Sequence, residues 1–144
     1  MIFQTGIFKV KKIEISGNQL LLKEELLEIA NVALNNNIIA LRSWEIEKKL
    51  EALPQVKEAK VRKVFPYLLE IEIKERQPEA LVEVGGQTFC VDEEGVEIPA
   101  LSTNLVKIRL PKSQKSLLVE SLSLIKMWKG EFELPLSTII VEND

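Results

Sequence analysis

Leu53-Pro54-Gln55-Val56-Lys57-Glu58-Ala59-Lys60-Val61-Arg62-Lys63-Val64-Phe65-Pro66-Tyr67-Leu68-Leu69-Glu70-Ile71-Glu72-Ile73-Lys74-Glu75-Arg76-Gln77-Pro78 contains two strand patterns back to back. In the second, from Leu68 to Glu75, Leu69, Ile71 and Ile73 alternate with Glu70, Glu72 and Lys74, which puts the aliphatic set on one face and the charges on the other. The first runs from Val56 to Phe65. Pro66-Tyr67 between them predicts a hairpin turn, and Pro54 ends whatever helix precedes.

Toward the N-terminus, Phe8 to Ile15 is rich in β-branched and aromatic residues, but Phe8 and Val10 are out of phase with Ile13 and Ile15. A bulge near Lys11 or Lys12 reconciles the two halves. Gly17-Asn18 then predicts a turn, followed by helical spacing of Leu22, Lys23, Leu26, Ile29, Ala30 and Ala33 up to Asn35-Asn36-Asn37. After Ile38-Ile39-Ala40-Leu41, Ser43 is placed to cap a second helix with Ile46, Leu50 and Leu53 on one stripe. The order is strand, helix, helix, strand, strand, so two helices cover one face of a small sheet.

Beyond Gln77-Pro78 the pattern changes to short strands with glycine turns: Ala80 to Val84, Gly85-Gly86, Thr88 to Val91, an Asp92-to-Gly95 turn, and Val96 to Ile98. Leu105 to Leu110 reads as a half-buried strand closed by Pro111. A third helix is expected after Ser113 or Ser116, packing through Leu117, Ser121, Leu124 and Trp128 and stopping at Gly130, with a last strand over Ser137 to Val141. The fold class is α+β, with domains at residues 7–77 and 78–144.

Among 144 residues, 46% are hydrophobic, enough to supply a core. A formal charge of −3 gives no single-sign field that would draw the chain to nucleic acid. Histidine is absent and Cys90 is the only cysteine, so most hydrolase chemistries lose a member and no intrachain disulfide is possible. No apolar run approaches the ~20 residues of a membrane-spanning helix, and Met1 to Gly6 reads as a stub leading into a strand. No cofactor or metal is expected. Asp92 and Glu94 form the best acid pair for a carboxylate-dependent hydrolase, but an acidic turn before Gly95 is the simpler reading.

Three segments, Phe8 to Asn18, Leu53 to Arg62 and Val64 to Ala80, together resemble the FtsQ/DivIB family of bacterial cell-division proteins. The family's POTRA domain starts with Val-x-Gly-Asn, has a Pro-x-Val-x-x-Ala-x-Val-x-Arg strand and exits through Glu-Arg-x-Pro-x-Ala. Val91 to Val96 resembles the opening of the family's β-domain. The resemblance implies a single-pass inner-membrane protein whose bulk, including this portion, is extracytoplasmic (periplasmic) at the division septum. It implies a scaffold rather than an enzyme. Its implied partners are FtsB/DivIC- and FtsL-type division proteins and septal peptidoglycan synthases, and any membrane anchor lies outside this chain, which is then a trimmed piece or a short relative. The alternative within binding proteins is a POTRA module of an outer-membrane assembly or secretion protein.

Candidate partner-binding residues follow from the sheet edges, whose unpaired backbone groups accept an added strand. Val56 to Phe65 is the candidate edge of the first domain, with Lys57, Lys60, Arg62 and Lys63 as its charges and Phe65 and Tyr67 as turn aromatics. Thr138, Ile139, Ile140 and Val141 are the candidates in the second. Trp44 and Trp128 are expected at the rim of the core, Cys90 inside it, and Glu75 and Arg76 in structural roles on opposite faces at the junction.

Overall fold

The computed structural model describes residues 6–99, 105–111, 116–131 and 138–141. The chain divides into two compact units, Met1–Glu75 and Arg76–Asp144.

The first unit is built in the order β1 (Lys12–Ser16), α1 (Lys23–Ala30), α2 (Ser43–Glu51), β2 (Val56–Val64) and β3 (Leu68–Glu75). Its three strands lie in the order β1-β3-β2. β3 is central, parallel to β1 and antiparallel to β2. Leu69, Ile71 and Ile73 are buried against Leu26, Ala30, Ile46 and Leu50 of the two helices. The expected α+β layer is therefore present: two helices on one face of the sheet, charges on the other. The phase change before β1 is also real. Lys11 N–H and Lys12 N–H both donate to Tyr67 O, at 2.9 and 3.4 Å, so one residue is bulged out where the aliphatic phase shifts.

Boundaries differ from the sequence reading where a local backbone state intervenes. α1 ends at Ala30 because Asn31 turns left-handed (φ 52°), four residues before the asparagine run expected to stop it. At its other end α1 begins at Lys23, so Leu22, expected on the helical stripe, is instead the extended cap residue and is exposed. α2 starts at Ser43 with Arg42 at the cap position and no side-chain cap. Trp44 is 54% exposed, not at the core rim; it stands on the helix surface with Lys48 Nζ 5.4 Å from its ring centroid.

The second unit has β4 (Ala80–Val84), β5 (Gln87–Val91), β6 (Glu97–Ile98), β7 (Val106–Leu110), α3 (Leu117–Glu131) and β8 (Thr138–Ile140). β4, β5 and β6 form the expected antiparallel meander, turning at Gly85 and Gly86, both at positive φ. β7 lies on the other side of β4, in parallel, and β8 is parallel to β7, giving the order β6-β5-β4-β7-β8. Val106, Ile108 and Leu110 face inward as their alternation predicts, and Cys90 is buried.

The packing stripe of α3 is corrected in its second half: Leu117 packs on the core and Ser121 is buried as expected, but the stripe then turns another way. Leu122 and Ile125 are buried with Ser121, whereas Leu124 is 51% exposed and Trp128 half-buried. Leu118, Ser121, Leu122 and Ile125 form the 3- and 4-residue ladder that faces the sheet, and a stripe drawn through Leu124 is rotated away from it. α3 also runs through Gly130 to Glu131. Ser113 and Ser137 lie outside the described residues. Among the described residues no helix is long and apolar enough to cross a membrane.

Candidate functional site

The sites expected from the sequence are sheet edges, and each unit presents them differently. In the first unit β2 is an edge strand, pairing only with β3 among the described residues. Its outer side is partly occupied by the chain's own helix. Ala59 N–H donates to Glu51 Oε1 at 3.0 Å and Val61 N–H donates to Glu47 Oε1 at 2.8 Å. The match is geometric: four residues of helix rise about 6 Å and two residues of strand about 7 Å, so carboxylates one turn apart meet alternate amides.

Lys60 and Arg62 project from β2 onto the open face of the sheet. Arg62 Nε donates to Glu70 Oε2 at 2.7 Å across the strand pair, and Lys60 Nζ lies 3.3 Å from Glu58. Glu14, Ser16 and Glu72 complete this charged, shallow face. Lys57 and Lys63 do not share it; both are half-buried, and Lys63 Nζ donates to Ile39 O at 3.2 Å. Phe65 and Tyr67 are exposed at the turn between β2 and β3.

In the second unit β8 is the edge. Thr138, Ile139 and Ile140 pair with Lys107, Ile108 and Arg109, and Val141 N–H donates to Arg109 O at 3.1 Å. Ile139 and Val141 pack on the core of this unit, while Thr138 and Ile140 are exposed, Ile140 by 54%. No described strand pairs with the other side of β8. The candidates therefore fall into two groups, Lys60, Arg62, Phe65 and Tyr67 in the first unit and Thr138 to Val141 in the second.

Glu75 and Arg76, consecutive in sequence, turn into separate networks. Glu75 is buried and its carboxylate accepts backbone N–H bonds from Gln19, Leu20 and Leu21, at 2.7, 2.9 and 2.9 Å. The loop that supplies them begins at Gly17 (φ +81°), where a Cβ would lie 2.1 Å from Ile73 O. Arg76 donates to Asp92 Oδ2 at 2.6 Å and to Glu94 Oε2 at 2.7 Å. Asp92 Oδ1 in turn accepts the N–H groups of Glu94 (3.0 Å) and Val96 (2.8 Å), fixing the turn before β6. Burial alone would push the Asp92 carboxyl up; the Arg76 guanidinium and the two backbone donors outweigh it and hold the carboxyl below its ordinary range. The acid pair considered for hydrolysis is thus tied up by one arginine. Sequence reasoning found these two residues but missed Glu47 and Glu51. In the sequence they are only an i, i+4 carboxylate pair on a helix, the pattern of an ordinary solvated face; the packing of α2 beside β2 gives them their partners.

Residues 8–76 match the family model for the POTRA domain, FtsQ-type. The chain is 33% identical over 82 residues to the cell division protein FtsQ of Syntrophotalea carbinolica, covering 57% of this chain and 29% of the relative. It is 31% identical over 97 residues to the FtsQ of Streptomyces bingchenggensis, covering 67% of this chain and 37% of that protein. With the FtsQ of Rickettsia bellii it shares 33% identity over 91 residues, covering 63% and 34%. The match spans only about a third of the length of these curated relatives. The glycine loop that cradles Glu75, the two-helix layer and the charged hairpin all lie inside the matched residues, so residues 8–76 are a POTRA domain of the FtsQ type, in a chain that is similar over 82 to 97 residues to cell division proteins FtsQ.

Proposed function

We propose that this chain is an extracytoplasmic scaffold of the bacterial division machinery, which binds FtsB/DivIC- and FtsL-type partners during septum formation and performs no catalytic step. In this reading it acts on the outer side of the inner membrane at the septum, and residues 78–144 are the opening of an FtsQ/DivIB-type β-domain. The observation that carries the reading is β8. Its outer side is unpaired among the described residues, and Ile140 presents an exposed apolar side chain on it. A partner segment added beside β8 as a sixth strand of this sheet would gain backbone hydrogen bonds, and Ile140 would supply an apolar contact. Edge addition requires no nucleophile or metal.

Surface contacts add specificity. Lys60 and Arg62 on the open face of the first unit hold acidic neighbours already, so a partner would engage them as part of a charge network. The β2 edge is a poorer place for strand addition than β8, because an incoming strand must displace Glu47 and Glu51 from the Val61 and Ala59 amides. The test is a calorimetric titration with the extracytoplasmic segments of an FtsB/FtsL-type pair from the same source, with Ile140→Lys alongside.

A further inference from the structure

One end of the first unit gathers exposed apolar side chains and lysines from three loops. The pairing of Lys12 with Leu68, and the hydrogen bonds of Lys11 and Lys12 to Tyr67 O, set the turn between β2 and β3 beside the start of β1. Asn35 N–H donates to Val10 O and Ile38 N–H donates to Phe8 O, both at 2.8 Å, which brings the loop after α1 to the same end. Lys63 Nζ, bonded to Ile39 O, joins the two loops. Ile7, Leu34, Ile39, Phe65 and Tyr67 are all exposed here, Phe65 by 57%. Lys9 and Lys11 stand among them, with Lys11 Nζ 5.9 Å from the Tyr67 ring centroid.

The charges at this end are of one sign. Among the described residues no carboxylate pairs with Lys9, Lys11 or Lys63, whereas Lys12, Lys60 and Arg62 on the open sheet face are each matched by a glutamate. The chain as a whole carries a formal charge of −3, so attraction to an anionic surface must be local to this end.

We propose that this end docks on an anionic lipid bilayer, with Phe65, Tyr67 and Ile39 entering the headgroup layer and Lys9, Lys11 and Lys63 pairing with lipid phosphates. Charge complementarity selects the occupant. Unmatched lysines beside aromatic and aliphatic tips are the chemistry of interfacial binding, in which rings sit at headgroup level and lysine stems lie along apolar surface with the ammonium at the phosphates. Tips on separate loops can meet a planar surface together.

The inference does not depend on the division reading, and its assay contains no division protein. The chain is mixed with vesicles of phosphatidylcholine alone or of phosphatidylcholine with phosphatidylglycerol, and the sedimented fraction is measured at low and high salt. Binding is expected only with phosphatidylglycerol present, and weaker in salt. Removing a lysine charge costs about fivefold in affinity near an anionic surface, so Lys9→Gln/Lys11→Gln/Lys63→Gln should bind about a hundredfold more weakly. Phe65→Ser/Tyr67→Ser should also bind less, with circular dichroism and the unfolding midpoint showing both variants folded. No sedimentation with anionic vesicles at low salt, or binding that neither variant set reduces, would overturn the proposal; that second result would indicate a different surface.

Discussion

Gln19 N–H donates to Glu75 Oε1 at 2.7 Å across 56 positions of sequence, and the next two amides, of Leu20 and Leu21, point at the same carboxylate. The end of the central strand thereby fixes the loop that leads into α1. Glu75→Ala should destabilise the first unit by about 3 kcal/mol, since three part-buried backbone N–H groups lose a charged acceptor. Glu75→Gln should recover part of this. Gly17→Ala should cost at least about 2 kcal/mol through the left-handed backbone and the contact with Ile73 O. Urea unfolding in a Trp128→Phe background, where Trp44 alone reports, checks all three.

Much of this unit was legible because its signals are local. The alternation from Leu68 to Glu75 gave β3 with both ends correct, and the phase slip between Val10 and Ile13 gave the bulge. Where the end of α1 fell was less legible, because several asparagines can turn left-handed: Asn31 and Asn35 both do, and the first of them ends the helix. In the second unit the meander was readable from its glycine turns. The parallel pairing of β7 with β4 was not, since it depends on a crossover that no local pattern specifies. Of the candidate sites, the edge strands were readable as strands, but the carboxylates on β2 appear only once α2 is set beside it.

Glu47 and Glu51 satisfy two outward amides of β2, so removing them should both destabilise the unit and expose a pairing edge. Glu47→Ala/Glu51→Ala should lose about 2–4 kcal/mol through two lost hydrogen bonds to charged acceptors. It should also self-associate with rising concentration, as bare edges do. Sedimentation velocity against the unsubstituted chain reads the second effect.

The Asp92–Arg76 pair makes the second unit acid-sensitive. The carboxyl is held below its ordinary value in the folded state, so its stabilising contribution is full above the unfolded value of about 4 and is lost as pH falls through the lower folded value. Asp92→Asn should flatten the dependence of stability on pH in that acid window and lower stability at neutral pH by about 2–3 kcal/mol, part of Arg76's charge remaining matched by Glu94. Unfolding titrations in a Trp44→Phe background, from neutral to acid pH, give both numbers.

The rotated stripe of α3 predicts opposite outcomes at adjacent positions. Ile125→Ala should cost about 2–5 kcal/mol as a cavity-forming change in the core, and Leu124→Ala less than about 0.5 kcal/mol as a surface change. Thermal unfolding of the two variants separates them. Equal effects would mean that the helix is rotated from the orientation described.

The scaffold function rests on β8, and the most direct measurement is titration of the chain with the extracytoplasmic segments of an FtsB/FtsL-type pair, beside Ile140→Lys and Arg62→Glu. The expected result is saturable binding that Ile140→Lys abolishes and Arg62→Glu weakens by a smaller factor, as a charge on a surface network should. Binding that Ile140→Lys leaves unchanged, or no binding at high concentration of a folded chain, would contradict partner capture at this edge.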